Sequence, residues 1–279
     1  MPLLSLSCWL AGGLLLLFPV FLRADEVWLK DGRHLEGVLS AAGDALTLSL
    51  SLPGPEGRAE LSCAPAEIAR IALARTPAEE RLLREDGSAP AWRAWWEKRR
   101  AFLGLSGSDA AEAGLGLAGA LLREGDSAAA AEIAAQVQAG AFAPACRERA
   151  EAVALEAMPP AEARSAEAAR AFLARPPADP AARADGWLAL GRCAAARWRA
   201  LPPGPERAAL YQEAADALLR PSVFLPRDRA RAARGLLEAA RLASAAGDGA
   251  AARRYAEDLL RAFPDPASLP AARTLRASL

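Results

Sequence analysis

Apolar and polar residues alternate between residues 25 and 74, in the pattern typical of half-buried β-strands. The alternation is clearest at four leucines, Leu46, Leu48, Leu50 and Leu52. Turn-forming residues interrupt it at Asp31-Gly32, at Gly43-Asp44 and at residues 53–57. The pattern therefore predicts a series of short strands joined by tight turns.

The end of this segment predicts how the sheet is completed. Residues 65–68 are expected to form one short helical turn, and a fifth strand is expected from Arg70 to Ala74. Five strands in so short a segment favour closure into a barrel, because closure leaves no strand edge exposed. We therefore expect a small closed β-barrel over residues 25–75.

From Thr76 onward the sequence predicts helices only. The chain is rich in Ala, the residue that most favours helices, and Pro and Gly fall mostly between the Ala-rich runs. The first helices of successive helix pairs are predicted to begin near residues 109, 143, 180, 226 and 267. This spacing is typical of stacked helix–turn–helix repeats.

Two segments of the helical region share one pattern. Residues 118–126 and 240–248 each begin with Ala and end in Gly-Asp. Gly supplies a residue that tolerates positive φ after one helix, and Asp offers an oxygen that caps the next. Small residues at helix crossings let paired helices approach closely. We therefore expect four alanines to be buried at crossings: Ala118, Ala130, Ala240 and Ala252.

The helical region resembles the tetratricopeptide repeat family. The match is best at residues 233–264, which carry the Gly247-Asp248 turn and a closing Pro264. Another repeat opens on Trp187-x-x-Leu190-Gly191, and Pro221 is its closing proline. The resemblance implies a solenoid of helix pairs whose concave surface binds a protein or peptide partner.

Residues 27–38, VWLKDGRHLEGV, resemble the opening of SH3-like and Sm-like small β-barrels. The Asp-x-x-Met-Asn stretch that serves RNA binding in Sm-like proteins is replaced by Asp44-Ala-Leu-Thr-Leu48. Residues 25–74 carry eight acidic and four basic side chains, so this segment would repel an RNA phosphate backbone. The expected fold is α+β and multidomain: a small five-stranded SH3-like β-barrel followed by an all-α TPR-like helical-repeat solenoid.

The first 22 residues carry no charged side chain. Pro19 interrupts their apolar centre, and Leu22-Arg23-Ala24 offers a cleavage site before Asp25, as in a secretory signal peptide. An uncleaved membrane anchor is the alternative, because an apolar segment of this length can just span a bilayer. We expect an exported bacterial protein of the periplasm or cell envelope. Its expected parts are a leader (1–24), the barrel (25–75), connector helices (76–107) and the repeats (108–279).

Composition limits the chemistry available to the chain. Its 279 residues include 73 Ala, 32 Arg, two Lys, one His and no Asn, with a net charge of zero. A neutral chain has no bulk attraction to nucleic acid. The single histidine, His34, excludes a metal site built on two histidines, and Cys63, Cys146 and Cys193 form no Cys-x-x-Cys pair. We expect no metal, no cofactor and no disulfide.

Two motifs have a superficial likeness to catalytic or nucleotide sites. Residues 114–119 match G-x-G-x-x-G, but their flanks are helical and no parallel strand precedes them. These glycines are therefore predicted to serve helix packing. Ser106 lies in a Gly/Ser-rich stretch, and the only available base, His34, belongs to the predicted barrel. Because the chain has no nucleophile–base pair, we predict no catalytic residues and no enzyme activity.

An aromatic cluster lies in the connector. Trp92, Trp95 and Trp96 share one face of a predicted helix, beside the basic residues at 98–100. This stripe is expected either to pack between the barrel and the first repeat or to dock a partner or a membrane surface. Both interpretations stay open at the level of sequence.

The predicted function is that of an exported, non-enzymatic scaffold or adaptor. Polar side chains on the inner, first helices of the pairs are the expected partner contacts: Arg192, Arg197, Arg234, Glu238 and Arg241. One alternative is binding of a cell-wall or envelope polymer through the barrel. Another is an accessory subunit of an envelope enzyme complex, docked through the Trp-bearing helix. Contact with a membrane is expected only through an uncleaved leader.

Overall fold

A computed structural model describes residues 24–42, 45–52, 57–85, 87–176, 178–264 and 268–278. The predicted leader, apart from Ala24, lies outside the described residues, as do the turn residues 43–44 and 53–56. Within the described ranges no helix combines the length and the apolar character needed to cross a membrane.

Five antiparallel strands form a single sheet, which confirms the strands that the alternating pattern predicts. Their bounds are β1 Asp25–Leu29, β2 His34–Ala42, β3 Ala45–Ser51, β4 Arg58–Cys63 and β5 Ile68–Ala72. The order across the sheet is β4-β3-β2-β1-β5. A one-turn 3-10 helix, Pro65–Glu67, joins β4 to β5, close to the predicted helical turn.

The sheet is open, so the predicted closed barrel is wrong. β1 pairs with β2 and β5, β3 pairs with β2 and β4, and the described strands show no pairing between β4 and β5. The free edge of β5 is covered by a later segment, because the Ile71 amide donates to the Ser106 carbonyl at 2.9 Å. Gly107 follows with φ of +80°, and a Cβ there would lie 2.2 Å from the Ile71 carbonyl oxygen. The edge is thus protected without closure.

One face of the sheet forms a core that the helical region completes. Val27, Leu48 and Ile71 are fully buried on this face. Phe102, from the 3-10 turn Arg100–Phe102, enters the same cluster and is 3% exposed. The core of the sheet is therefore completed by a residue from the segment that follows α2.

The described residues after the sheet form eleven α-helices. Their bounds are α1 Pro77–Leu82, α2 Ala89–Arg99, α3 Ala110–Glu124, α4 Ser127–Gly140, α5 Pro144–Ala157, α6 Ala163–Ala174, α7 Pro180–Ala200, α8 Pro205–Phe224, α9 Arg229–Ala245, α10 Gly249–Ala262 and α11 Leu269–Ala277. The predicted first helices correspond to α3, α5, α7, α9 and α11, each of which begins within about three residues of its predicted start. The predicted starts of these five helices are therefore confirmed.

The two Gly-Asp turns have the predicted geometry. Gly125 and Gly247 have φ of +85° and +83°. Asp126 and Asp248 each accept a hydrogen bond from a backbone amide in the first turn of the next helix, at 3.0 and 2.9 Å. The four alanines predicted at crossings are all 0% exposed: Ala118, Ala130, Ala240 and Ala252. These observations confirm that the small residues serve close packing.

Of the two prolines predicted to close helices, one does so. Pro264 lies two residues beyond the end of α10. Pro221 instead lies inside α8, which continues to Phe224, so the prediction that it ends the helix is wrong. A proline removes one amide donor, so the Ala217 carbonyl loses its usual partner in the helix. The Pro221 carbonyl still accepts a hydrogen bond from the Leu225 amide at 3.0 Å.

A buried arginine joins the sheet to the helices. Arg99, at the end of α2, is 9% exposed and donates to the carbonyl of Ala74, just beyond β5. It also lies 3.6 Å from Glu79 of α1 and 3.6 Å from Asp109, which precedes α3. One side chain thus connects the end of the sheet with three helical elements.

Candidate functional site

The three tryptophans of α2 lie inside the protein. Trp92, Trp95 and Trp96 are 7%, 1% and 2% exposed. They belong to a core cluster with α3 and α4, and the Trp92 and Trp95 rings stack with their centroids 5.5 Å apart. Because their rings are buried, they offer no docking surface. They pack against the first repeat, as one interpretation predicts, but no residue of the described strands belongs to their cluster.

The glycines of the G-x-G-x-x-G match explain how these rings fit. A Cβ at Gly116 would lie 2.2 Å from the Trp92 ring, and a Cβ at Gly114 would lie 2.8 Å from the Trp96 ring. The predicted role in helix packing is confirmed for Gly114 and Gly116. Gly119 is different, because a Cβ there would meet only the Arg123 guanidinium, at 3.8 Å. It faces open space on another side of α3.

That open space is a groove of about 560 Å³ formed mainly by the first helices α3, α5, α7 and α9. We call it the inner groove. Its lining combines apolar side chains with charged ones, among them Leu115, Leu122, Val153, Glu156, Asp185 and Arg234.

Ion pairs tie the walls of the inner groove together. Arg234 of α9 donates from both terminal nitrogens to the Glu156 carboxylate of α5, at 3.0 and 3.1 Å. Arg192 of α7 donates to Glu156 at 3.4 Å and to Glu238 of α9 at 3.1 Å. The Glu156 side chain is only 7% exposed, and two guanidinium groups compensate its charge. This geometry connects α5, α7 and α9 directly.

A second bidentate pair lies beside the first. Arg231 of α9 donates to both carboxylate oxygens of Asp185 on α7, at 2.7 and 2.8 Å, and to Asp228 at 2.6 Å. Burial raises the pKa of Asp185, although the hydrogen bonds from Arg231 act in the opposite direction. Burial also disfavours the Arg231 cation, but the hydrogen bonds and charges of the two aspartates raise its pKa overall. We use the name arginine network for Arg192, Arg231, Arg234, Glu156, Asp185 and Glu238.

A second, smaller groove of about 270 Å³, the outer groove, lies mainly between α7 and α9. Arg192 and Glu238 are common to the network and to this groove, and Arg199 and Arg241 also line it. Within the described chain, Arg199 and Arg241 make no hydrogen bond or ion pair. The outer groove therefore presents two unpaired cations.

The structure brings together most of the polar residues predicted as partner contacts. Arg192, Arg234 and Glu238 belong to the arginine network, and Arg241 lines the outer groove. Arg197 is half-buried on α7 and lines neither groove.

Sequence reasoning missed Glu156, Asp185 and Arg231. A signal for Asp185 was available in the spacing of α7, since residues 185, 192 and 199 recur at seven-residue intervals and share a helix face. The charged residues 231, 234, 238 and 241 of α9 also share a face.

The outer face of the sheet has a small aromatic cluster. Trp28 of β1 stacks on His34 of β2, with centroids 4.7 Å apart, and the Arg70 guanidinium of β5 lies 5.1 Å from the Trp28 ring centroid. His34 is exposed and lies 3.3 Å from Glu26. Because β2 and β5 lie on either side of β1, side chains of both strands contact the Trp28 ring.

Comparison of the chain with protein-family models, with curated proteins and with solved structures finds no match.

Proposed function

We propose that this protein is a non-enzymatic adaptor that binds a segment of a partner protein in the inner groove. The observation that carries the proposal is the groove itself, which four first helices line with both apolar and charged side chains. A stack of helix pairs with a concave inner surface is the architecture of tetratricopeptide-type solenoids, and we assign the helical region to that type.

The arginine network supports this function because it fixes the shape of the groove before a ligand arrives. Its bidentate pairs hold α5, α7 and α9 in one arrangement. A site that is already ordered loses less conformational entropy when it binds, so more of the contact energy is available as affinity. The network is thus a structural support, and the ligand contacts are the apolar floor and the groove rim.

We also propose that the protein acts outside the cytoplasm. The uncharged apolar segment at residues 1–22 supports this, together with the cleavage pattern before Asp25. N-terminal sequencing of the protein from fractionated cells checks the proposal: an envelope or periplasmic product beginning at Asp25 is expected, and a cytoplasmic product that retains Met1 would contradict it.

Gly119 offers a direct test of the groove. Because Gly119 lines the groove and a Cβ there would meet only Arg123, Gly119→Leu should fill the site without disturbing the core. Peptides selected from a displayed random library against the unaltered protein should bind the Gly119→Leu variant at least about tenfold more weakly, a loss of about 1.4 kcal/mol. Fluorescence anisotropy with the labelled peptides measures this loss.

The matched control is Ala135→Leu. Ala135 is exposed on α4, a second helix that contributes nothing to the lining of the inner groove. This variant adds a similar apolar surface and should leave peptide affinity unchanged. If the selected peptides bound both variants equally well, or if no peptides were selected, the groove would not be the binding site.

A further inference from the structure

We infer that the segment recognised by the grooves is acidic at one end and apolar at the other. This inference rests on the proposed function and adds the chemical class of the partner. It follows from how charge is distributed along α7 and α9, in a chain whose net charge is zero.

The apolar end of the site is set by the inner groove. Leu115 and Leu122 of α3 and Val153 of α5 line it, and Gly119 leaves room beside them. The charged side chains of this part are already engaged. Glu156 pairs with Arg234 and Asp185 with Arg231, Arg149 lies 3.7 Å from Asp179, and Arg123 donates to the Gly87 carbonyl at 3.2 Å. An apolar side chain can therefore enter without meeting an uncompensated charge.

The acidic end is set by the outer groove. Four charged residues line it, of which Arg192 and Glu238 pair with each other at 3.1 Å. Arg199 and Arg241 remain, both exposed and both without a partner among the described residues. Two unpaired guanidinium groups on facing helices match the carboxylates of Asp or Glu side chains.

The two ends are separated by a distance that a short peptide can span. Asp185 and Arg199 lie on one face of α7, about 21 Å apart along the helix axis. About six residues of extended chain cover that length. The expected ligand is therefore a short extended segment with bulky apolar residues near α3 and carboxylates near Arg199 and Arg241.

A polyanion such as a nucleic acid or an acidic polysaccharide fits the site less well. Its charged backbone would leave Leu115 and Leu122 of α3 without an apolar partner. The combination of apolar floor and two local cations favours an acidic peptide.

The test compares three displayed peptide pools of equal length. All three contain Leu and Phe, combined with Asp and Glu in the first pool, with Lys and Arg in the second, and with Ser and Gln in the third. Binders are expected from the acidic pool. Replacing Arg199 and Arg241 together by Glu should weaken those binders at least about tenfold, and added salt should weaken them too, because both arginines are exposed.

The control reverses two other exposed arginines, Arg93→Glu with Arg273→Glu, which changes the net charge by the same amount outside both grooves. This variant should retain the affinity of the unaltered protein. Soluble heparin and polyglutamate, tested in parallel, should compete poorly with the acidic–apolar peptides.

The outcomes separate this inference from the proposed function. If binders that Gly119→Leu blocks came from the basic or neutral pool, the groove would still bind peptides and the acidic assignment would be overturned. Equal competition by heparin would overturn it as well, since the site would then be a general polyanion surface. If no pool gave binders sensitive to Gly119→Leu, the proposed function would fail together with the inference.

Discussion

At the scale of single residues, burial controls what the cysteines can do. Cys63 and Cys193 are each 3% exposed, Cys146 is half-buried, and none of these three forms a disulfide. Burial raises the pKa of all three thiols, and the charges of Glu67 near Cys63 and Glu112 near Cys146 add to the effect. These cysteines therefore act as small apolar side chains.

Thiol reactivity gives a prediction at this scale. With Ellman's reagent at neutral pH, Cys146 should react first, and Cys63 and Cys193 should react more than about tenfold more slowly in the folded protein than in denaturant. The rise of absorbance with time measures the three rates. Rapid reaction of all three thiols in the folded protein would contradict the burial described.

The same shifts have a consequence for stability. A raised folded-state pKa means that the folded protein keeps its thiol protons while the unfolded chain loses them, near the ordinary thiol pKa of 9.0. The thiols' contribution to the free energy of unfolding is thus fully present below this pH and falls as the pH rises further. Urea unfolding between pH 7 and about pH 10 measures the fall, and Cys193→Ala should reduce it.

At the scale of elements, the packing of α2 on α3 depends on where α3 has no side chain. Gly116 lies against Trp92, whereas Gly119 faces the inner groove, although both belong to the same helix. The identical substitution at the two positions should therefore have opposite effects on stability.

Gly116→Ala is expected to lower the free energy of unfolding by about 1–3 kcal/mol, because the new methyl group would overlap the Trp92 ring. Gly119→Ala is expected to raise it by up to about 1 kcal/mol, because Ala favours a helix more than Gly does. Urea unfolding followed by circular dichroism measures both values. Similar losses of unfolding free energy in the two variants would contradict the difference in packing between Gly116 and Gly119.

Elements were predictable from the sequence to the extent that their signals are local. Alternation revealed the strands, and the Gly125-Asp126 and Gly247-Asp248 turns marked helix boundaries, because φ preference and capping involve adjacent residues only. The position of β5 at an edge of the sheet, covered by a later segment, was not predictable in this way. Its hydrogen-bond partner, Ser106, is remote in sequence and lies in a segment with no strand pattern.

The candidate site was partly predictable for the same reason. The charged stripe of α9 is visible in the sequence, and it led to Arg234, Glu238 and Arg241. The partner of Arg234 is Glu156, on a helix two pairs earlier, and nothing near residue 156 indicates this contact. Only the stacking of the pairs brings the two side chains together.

At the scale of the whole molecule, the arginine network connects helix pairs that are not consecutive. In a stack of repeats most contacts join nearest neighbours, and each pair depends mainly on the next. The Glu156–Arg234 pair passes from α5 to α9 across α7, and Arg192 of α7 lies between the two glutamates. The network should therefore make these three helix pairs unfold together.

A double-mutant cycle measures this connection. Glu156→Gln should lower the free energy of unfolding by about 2–4 kcal/mol, because it leaves the guanidinium groups beside a neutral amide in a mostly buried position. Arg234→Gln should have a smaller effect, since the Arg234 side chain is 40% exposed. The double variant should lose less than the sum, by about 1–3 kcal/mol.

Additive effects in this cycle would mean that the pair contributes nothing of its own. The control pair is Arg261 and Asp258, which lie 2.8 Å apart on the surface of α10, where Arg261 is 82% exposed. Its coupling should stay below about 1 kcal/mol, as for other exposed ion pairs.

The hydrogen bond between Ile71 and Ser106 has a consequence for synthesis of the chain. When the ribosome has produced only the five strands, the edge of β5 has no partner and Phe102 is missing from the core of the sheet. A fragment ending at Arg75 would have an unpaired β5 edge and an incomplete core, whereas a fragment extended to Ser108 would contain both missing parts. The sheet therefore gains its edge partner and the last member of its core only after residues 102–106 have left the ribosomal tunnel, which places the first stage of co-translational assembly after the synthesis of α2.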